Sequence, residues 1–468
     1  MKAKFNIVAI CMTAIFLLSA CATYYQKQAN FQKRFAEGKI EAAQSYLESQ
    51  KKEAEKKDRL LYFLDRGVVE HMLGNYKESN FYFEEAYIFT QDFRKSFSGD
   101  FVEMVANPML RPYRGEDFEV VLIHFYKALN FIQLEQLDDA LVEVRRVNIK
   151  LNELNDRYEG KKNRYKEDAF AHTLMGLIYE AKGNYNDAFI AYRNAYETYQ
   201  NLYAKEFGVK APQQLKHDLL RMATFNGFRQ ELKKYEDEFG FEYQEEENVR
   251  GHAVFFWLNG LGPVKSEFSL NLSTVKDKGG VITFSNESEG FSIPYNTAQH
   301  NHDPSDFGDL NFVRLAVPKY NNRYPTAQNA LLLIDSARKQ PLEMAENIDQ
   351  IATSTLQDRL ARELAKSVGR LALKQATQAA VKKENEDLGA LVSMVNAITE
   401  KADTRNWQTL PFSISYQKVA LDTGSHSISL VVEYPNQLND TVDYSFDLKS
   451  GENRFFSYHS LGSSMPAP

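Results

Sequence analysis

Residues 169–198 read AFAHTLMGLIYEAKGNYNDAFIAYRNAYET, two helical segments separated by a Gly183-Asn184-Tyr185 turn. Gly176, Ala188 and Ala195 are small at positions where helices cross closely, while Tyr179 and Tyr192 are large enough to fill the space between successive hairpins. One such hairpin cannot bury its own apolar face, so the pattern calls for neighbours of the same design.

Two neighbours precede it. Gly67, Gly74-Asn75-Tyr76, Phe83 and Ala86 repeat the pattern once, and Ala128, Phe131, Leu137, Ala140, Val144 and Val147 repeat it again. This small-residue spacing is that of tetratricopeptide repeats, and it predicts a helical solenoid over residues 31–244. The anchors Gly67, Ala128 and Gly176 are further apart than the ~34 residues of a regular array. Residues 91–119 and 148–168 therefore read as insertions, which in solenoids often line a binding surface.

On a repeat template, the inner groove is lined by Leu61, Leu64, Val68, His71 and Met72, then by Leu122, Phe125, Leu129, Ile132 and Gln133. Leu64, Val68, Leu122, Phe125, Leu129 and Ile132 are the candidate protein-binding residues, because an apolar groove needs a cover. The expected cover is a helix from this chain or from a partner. The alternative is that the irregular spacing closes the hairpins into a bundle with no groove.

Beyond Glu245-Glu246-Glu247 the period changes to two, and residues 250–468 read as a β domain. Strands are expected at 253–258, 267–272, 280–284, 310–317, 412–419, 426–433, 441–448 and 454–458, spaced as in an antiparallel sandwich. The segment 421–426, LDTGSH, reads as a hairpin turn into a surface-facing strand. A helical insertion is expected at about 331–402, with an apolar stripe of Leu356, Leu360, Leu364, Val368 and Leu371 flanked by Arg359, Arg362, Lys366, Arg370 and Lys374. Such a helix packs on the sandwich or lies on a membrane. The fold class is thus α+β and multidomain, a tetratricopeptide-like solenoid followed by a β-sandwich-like domain with a helical insertion.

The N-terminus supplies an address. Lys2 and Lys4 precede an apolar run from Ile7 to Leu18 that is too short to span a bilayer core of ~30 Å, and Leu18-Ser19-Ala20-Cys21 spells a lipobox. Residues 1–20 read as a lipoprotein signal peptide, Cys21 as the acylated first residue of the mature chain, and 21–30 as a tether. About eight tether residues at ~3.3 Å each reach roughly 30 Å. Ala22 is not the aspartate that retains lipoproteins in the inner membrane, so the expected location is the outer membrane, facing the periplasm.

The chain has 468 residues, 43% of them apolar, with a net charge of −7 that becomes more negative once Lys2 and Lys4 are removed. Nucleic acid is not an expected partner. Its 2 cysteines, Cys11 and Cys21, leave no free thiol for a disulfide or thiolate metal site. No Gly-rich phosphate loop, nucleophile elbow or H-E-x-x-H helix is present, so no enzyme activity, cofactor or metal is expected. The one metal-like segment, His300-Asn301-His302-Asp303 with Asp306 and Asp309, lacks the further ligands of a zinc hydrolase and reads as a polar loop.

Several segments together, YRGEDFE (113–119), HFYKALN (124–130), VEVRRVN (142–148), NGLGPVK (259–265), LAVPKY (315–320) and DTRNWQTLP (403–411), resemble an uncharacterised family of bacterial tetratricopeptide lipoproteins. The resemblance implies a role in envelope assembly and carries no catalytic residues. Arg145, Arg146 and Asn148 are expected either to bind an anionic partner or to tie Glu116 and Glu119 internally, the second being preferred. The expectation is a lipid-anchored, non-enzymatic scaffold that binds an envelope protein. Alternatives are an envelope glycan hydrolase and an assembly factor that engages the membrane through its helical insertion.

Overall fold

A computed structural model of the chain describes residues 28–464 except 56, 97–108, 110, 157–162, 245–249, 287, 289, 301–311, 336, 385–400 and 436–437. The lipobox with Cys21 and the His302, Asp303, Asp306 and Asp309 segment lie outside these described residues. The helical half consists of hairpins α1 (Ala29–Ala36) and α2 (Ile40–Ser49), α3 (Arg59–Met72) and α4 (Tyr76–Ser96), α5 (Asp117–Gln133) and α6 (Leu137–Asn155), α7 (Ala169–Ala181) and α8 (Tyr185–Thr198), and α9 (Gln213–Phe225) and α10 (Arg229–Phe239). The three expected repeats are the middle hairpins, and one further hairpin flanks them on each side.

All five turns share one backbone solution. Lys39, Asn75, Gln136, Asn184 and Phe228 each donate their N–H to the carbonyl of a residue in the last turn of the preceding helix, at 2.8–3.0 Å. The residue before each of them is left-handed. It is a glycine in four cases, whereas the middle hairpin places Glu135 there at φ 59. This is the hydrogen-bonded helix stop that glycine permits most easily. The helix crossings follow the expected logic too. A Cβ on Gly67 would stand 2.6 Å from the Phe83 ring, and one on Gly176 would overlap the Tyr192 ring. The equivalent pair in the middle repeat is Ala128 and Val144, both buried, a larger anchor matched with a smaller partner residue.

Among the described residues, the β half contains three four-stranded sheets. The first orders β12 (Asn453–Ser460), β1 (Gly251–Asn259), β9 (Ser413–Leu421) and β8 (Glu343–Asn347). The second orders β11 (Asp440–Leu448), β10 (Gly424–Glu433), β6 (Asn329–Ile334) and β7 (Arg338–Pro341). These two pack face to face through Ala253, Phe255, Trp257, Val419, Leu332, Ile428 and Leu430. The third orders β4 (Phe291–Asn296), β3 (Val281–Asn286), β2 (Val264–Lys276) and β5 (Phe312–Asn321), and α11 (Ile348–Glu384) lies on it.

The run Ala253-Val254-Phe255-Phe256-Trp257-Leu258 is continuous rather than alternating because both faces of β1 are covered. Val254, Phe256 and Leu258 join the helical core, while Ala253, Phe255 and Trp257 join the sandwich core.

Four expectations require correction. The helical insertion begins at Ile348, not near 331, because residues 329–347 form β6, β7 and β8. The short apolar run Ala330-Leu331-Leu332-Leu333-Ile334 has no periodicity that separates buried strand from helix. The sandwich is not wholly antiparallel, since β1 and β12 pair in parallel, Phe255 opposite Phe456. Residues 421–424 do not close a hairpin within one sheet but carry the chain from β9 in the first sheet to β10 at the centre of the second. Finally, the stripe on α11 packs on the β half, as the first of its two readings expects, but on the third sheet rather than on the sandwich. Leu364 and Val368 are buried against Leu270, Leu315 and Val317, and Leu360 and Leu371 pack at the edge of that core. No helix among the described residues is long and apolar enough to cross a membrane.

Candidate functional site

The first helix of each hairpin from α3 to α9 turns its inner face toward the β half, and each inner face is occupied. On α3, Asp65 accepts a hydrogen bond from Thr409 Oγ1 at 2.9 Å. On α5, Glu119 accepts the Trp407 backbone N–H at 2.6 Å, Tyr126 lies 5.7 Å from the Trp407 ring, and Gln133 reaches the Phe455 carbonyl at 3.3 Å. On α7, Phe170 meets Phe256 edge-on at 6.0 Å. On α9, Asp218 faces Lys418 at 3.3 Å.

The groove therefore exists, and the first sheet together with the 403–411 segment fills it. Leu64, Val68, Leu122, Phe125, Leu129 and Ile132 are all buried in that shared core, none more than 5% exposed. They do not present a face to a partner. The expected cover is a helix, and the actual one is a face of the first sheet together with the segment that carries Trp407. β1 is apolar on both faces and supplies the second hydrophobic surface that the groove requires.

The dispersed motifs converge at this junction. Glu119 also accepts the Tyr113 hydroxyl at 2.7 Å and the Glu116 N–H at 2.9 Å. Asn406 accepts the Lys265 N–H at 3.1 Å and donates to the Pro263 carbonyl at 2.8 Å. Lys265 and Arg359 both pair with Glu116. Arg405 pairs with Asp403 at 2.7 Å and Asp58 at 3.1 Å and stacks over Tyr113. Burial pushes the carboxyls of Asp65 and Glu119 up to about 7, against the hydrogen bonds each accepts.

The HFYKALN motif serves within its own hairpin and toward the preceding one. His124 and Lys127 contact Glu143 at 2.7 and 2.8 Å, and Asn130 bridges His71 at 2.6 Å to Ser79 at 2.8 Å. Arg146 is also satisfied inside the helical half, by Glu143 at 2.8 Å, and Arg145 by the Tyr179 hydroxyl. Their expected partners Glu116 and Glu119 are held instead by Lys265, Arg359, Tyr113 and Trp407.

Among the described residues, cavities open beside this junction and against α9. One of about 230 Å³ opens beside the junction, between residues 111–116, β2, β5, α11 and residues 402–405. The other, of about 560 Å³, lies where α9 meets the β1 and β9 strands, with Tyr185 and Phe225 stacked at 5.1 Å on its wall. The charged groups lining the larger cavity neutralise one another. Glu180 takes Arg221 at 2.7 Å and Lys418 at 2.5 Å, and Asp218 takes Arg221 at 2.6 Å. Burial would raise Glu180, but Arg221 and Lys418 outweigh it and hold the carboxyl down to about 2. Burial and the same two cations push His252 down to about 2, so its ring is neutral. A group locked in one charge state in this way moves no proton near neutral pH. Among the described residues, no cluster of three or more His, Cys, Asp or Glu side chains could hold a metal ion.

The outer face of the solenoid carries a feature that sequence reasoning missed. Phe81 on α4, Val142 on α6 and Ile190 on α8 occupy the same position from the start of their helices and are 53%, 44% and 38% exposed. Two turns further along, Ile88 and Ile149 are 42% and 57% exposed. The equivalent residues at the ends of these rows are polar: Ser45 on α2, Lys234 on α10 and Glu197 on α8. Aligning the second helices by their turns reveals the rows in the sequence, whereas the inner-face template directs attention to the opposite side.

No protein-family model and no curated protein matches the chain. Solved structures that resemble it include MamA, at TM-score 0.29 and 12% identity over 44% of this chain and 90% of that one. The apo form of RapI matches at 0.34 and 13% over 46% and 68%, and BtubC (BKLC) from P. vanneervenii at 0.32 and 15% over 46% and 80%. The share covered is about the size of the helical half. At these scores the likeness carries no argument about function, and the tetratricopeptide-like assignment rests on the hairpins, turns and crossings described above.

Proposed function

We propose that this chain is a lipid-anchored, non-enzymatic adaptor of the bacterial envelope that binds a protein partner on the outer face of its helical repeats. The observation that carries the reading is the pair of apolar rows Phe81, Val142, Ile190 and Ile88, Ile149, exposed at equivalent positions of successive helices. Singly exposed apolar residues are ordinary, whereas a register of them that ends in polar residues marks a contact surface. The inner face, where tetratricopeptide grooves take ligands, is committed to holding the β half. The lipobox at Leu18-Ser19-Ala20-Cys21 supports outer-membrane attachment through Cys21, and the short tether would keep the partner near that membrane.

The test is a Val142→Glu, Ile190→Glu double variant in intact cells, alongside Cys21→Ala. The outer-face variant should keep the wild-type melting temperature and membrane fractionation but lose its crosslinked complex. Cys21→Ala should release the protein from the membrane fraction. A crosslinking pattern indifferent to both outer-face charges would refute the docking surface, and retention of Cys21→Ala in the membrane would refute the anchor.

A further inference from the structure

The larger cavity lies where one face of α9 meets β1 and β9 of the first sheet and β7 of the second. Small-molecule sites favour such joins between folded units, and its volume of about 560 Å³ falls within their usual range of about 300–1,000 Å³. Two aromatic rings stand at its mouth, Tyr185 from the start of α8 and Phe225 from the end of α9. They stack on each other at 5.1 Å and are 41% and 59% exposed. Apolar surface left in water at the rim of a cavity is surface that a ligand can cover with a gain in free energy.

What the cavity offers a ligand depends on which of its polar groups are already used. The ions of its floor are used by one another, since Glu180 and Asp218 each pair with both Arg221 and Lys418. Glu242 and Arg250 are exposed at the rim, where salt screens them. The groups with capacity left are amides. Gln214 donates to Asp218 at 3.1 Å and keeps its carbonyl oxygen. Gln417 donates to Gln340 at 3.4 Å, which leaves a carbonyl oxygen on the first and the amide protons of the second. All three glutamines line the cavity and are half-buried. An anion would call for donors and a cation for acceptors, whereas this wall presents both.

We propose that this cavity binds a neutral sugar, with a pyranose ring laid against Phe225 and its hydroxyls on Gln214, Gln340 and Gln417. A hydroxyl both donates and accepts, and so does a side-chain amide, so neighbouring hydroxyls find partners on the glutamines in either direction. The face of an aromatic ring carries the negative part of its quadrupole, which attracts the polarised C–H groups on the flat side of a sugar. That flat side separates a sugar from a short peptide, whose backbone amides could use the same glutamines. The site is independent of the outer-face rows and goes beyond the protein contact assigned to them.

The experiment is calorimetric titration of the purified full chain with maltotriose, with triacetylchitotriose and with trialanine. The proposal predicts saturable binding of at least one of the two sugars, weakened about tenfold in Phe225→Ala and in Gln340→Ala, Gln417→Ala. The affinity should change less than about twofold between ~0.1 and ~0.5 M salt, because no charge is neutralised on binding. Phe225 is exposed, so Phe225→Ala should keep the wild-type melting temperature, and a Phe81→Ala control on the outer face should bind as wild type does. Binding of triacetylchitotriose alone would identify an N-acetylated sugar as the ligand, and binding of maltotriose would show that the hydroxyls suffice. Failure of both sugars to bind, binding of trialanine in their place, or an affinity indifferent to both cavity variants overturns the proposal.

Discussion

Trp407 is fully buried between the halves of the molecule. Its ring lies 5.8 Å from Phe83 and 5.7 Å from Tyr126, its indole N–H reaches Thr409 at 2.8 Å, and its backbone N–H is taken by Glu119. Truncating such a side chain costs about 3–5 kcal/mol, the sum of lost transfer energy and an unfilled cavity. Trp407→Ala should therefore lower global stability by that order in denaturant titration and make the β half the first target of limited proteolysis.

Asp65 and Glu119 sit behind the same tryptophan, with folded-state values near 7 set chiefly by burial. A carboxyl whose folded value is raised contributes stability that is fully present below its unfolded value and is lost as pH climbs through the folded one. For Asp65 that window runs from 3.8 to about 7. Buried neutral histidines such as His71 and His459 act in the opposite sense, destabilising as pH falls, so the raw stability profile mixes signs. A difference measurement isolates the carboxyl. Asp65→Asn keeps an acceptor for Thr409 and cannot ionise, so its stability relative to wild type should improve steadily from mildly acid to neutral pH. A flat difference across that range would contradict the account.

At the scale of elements, the helix crossings are the most legible part of the sequence. Gly67 and Gly176 are small because a ring from the second helix of the same hairpin occupies the space a side chain would need. Gly67→Ala should cost about 1–3 kcal/mol through overpacking against Phe83, measured as a drop in denaturation midpoint with unchanged slope. The eight expected strands and the helical half were also readable, because turn residues and periodicity mark them locally. The strand at 291–296 and those at 329–347 are not among them. At 329–334 the limit is plain. The short apolar run is compatible with either structure, and only pairing with β10, distant in sequence, selects the strand.

The inner-face residues show a different limit. Leu64, Val68, Leu122, Phe125, Leu129 and Ile132 form an apolar inner face that calls for a cover, and the cover comes from the same chain. The identity of the cover depends on contacts between residues hundreds of positions apart, which no local pattern encodes. The family-like motifs were recognised as segments, but their convergence on Glu116, Glu119, Lys265 and Arg405 is a property of the tertiary structure.

At the scale of the whole molecule, the two sides of the solenoid differ in what covers them. Its inner face is bonded to the 403–411 segment at α3 and α5 and to the first sheet at α7 and α9, which leaves the outer face as the surface the proposed partner would use. This arrangement fixes the two halves relative to each other, because the groove is filled by strands that also form one layer of the sandwich. A partner docked on the outer face would then be held in a fixed position with respect to the β half.

The most direct test places a photoreactive residue at Phe125 in one protein and at Ile149 in another, followed by irradiation in intact cells and mapping of the adducts. The account predicts that Phe125 yields only internal adducts, to the β half or neighbouring helices, while Ile149 yields an adduct to a second protein. An intermolecular adduct from Phe125, or internal adducts alone from Ile149, would contradict it.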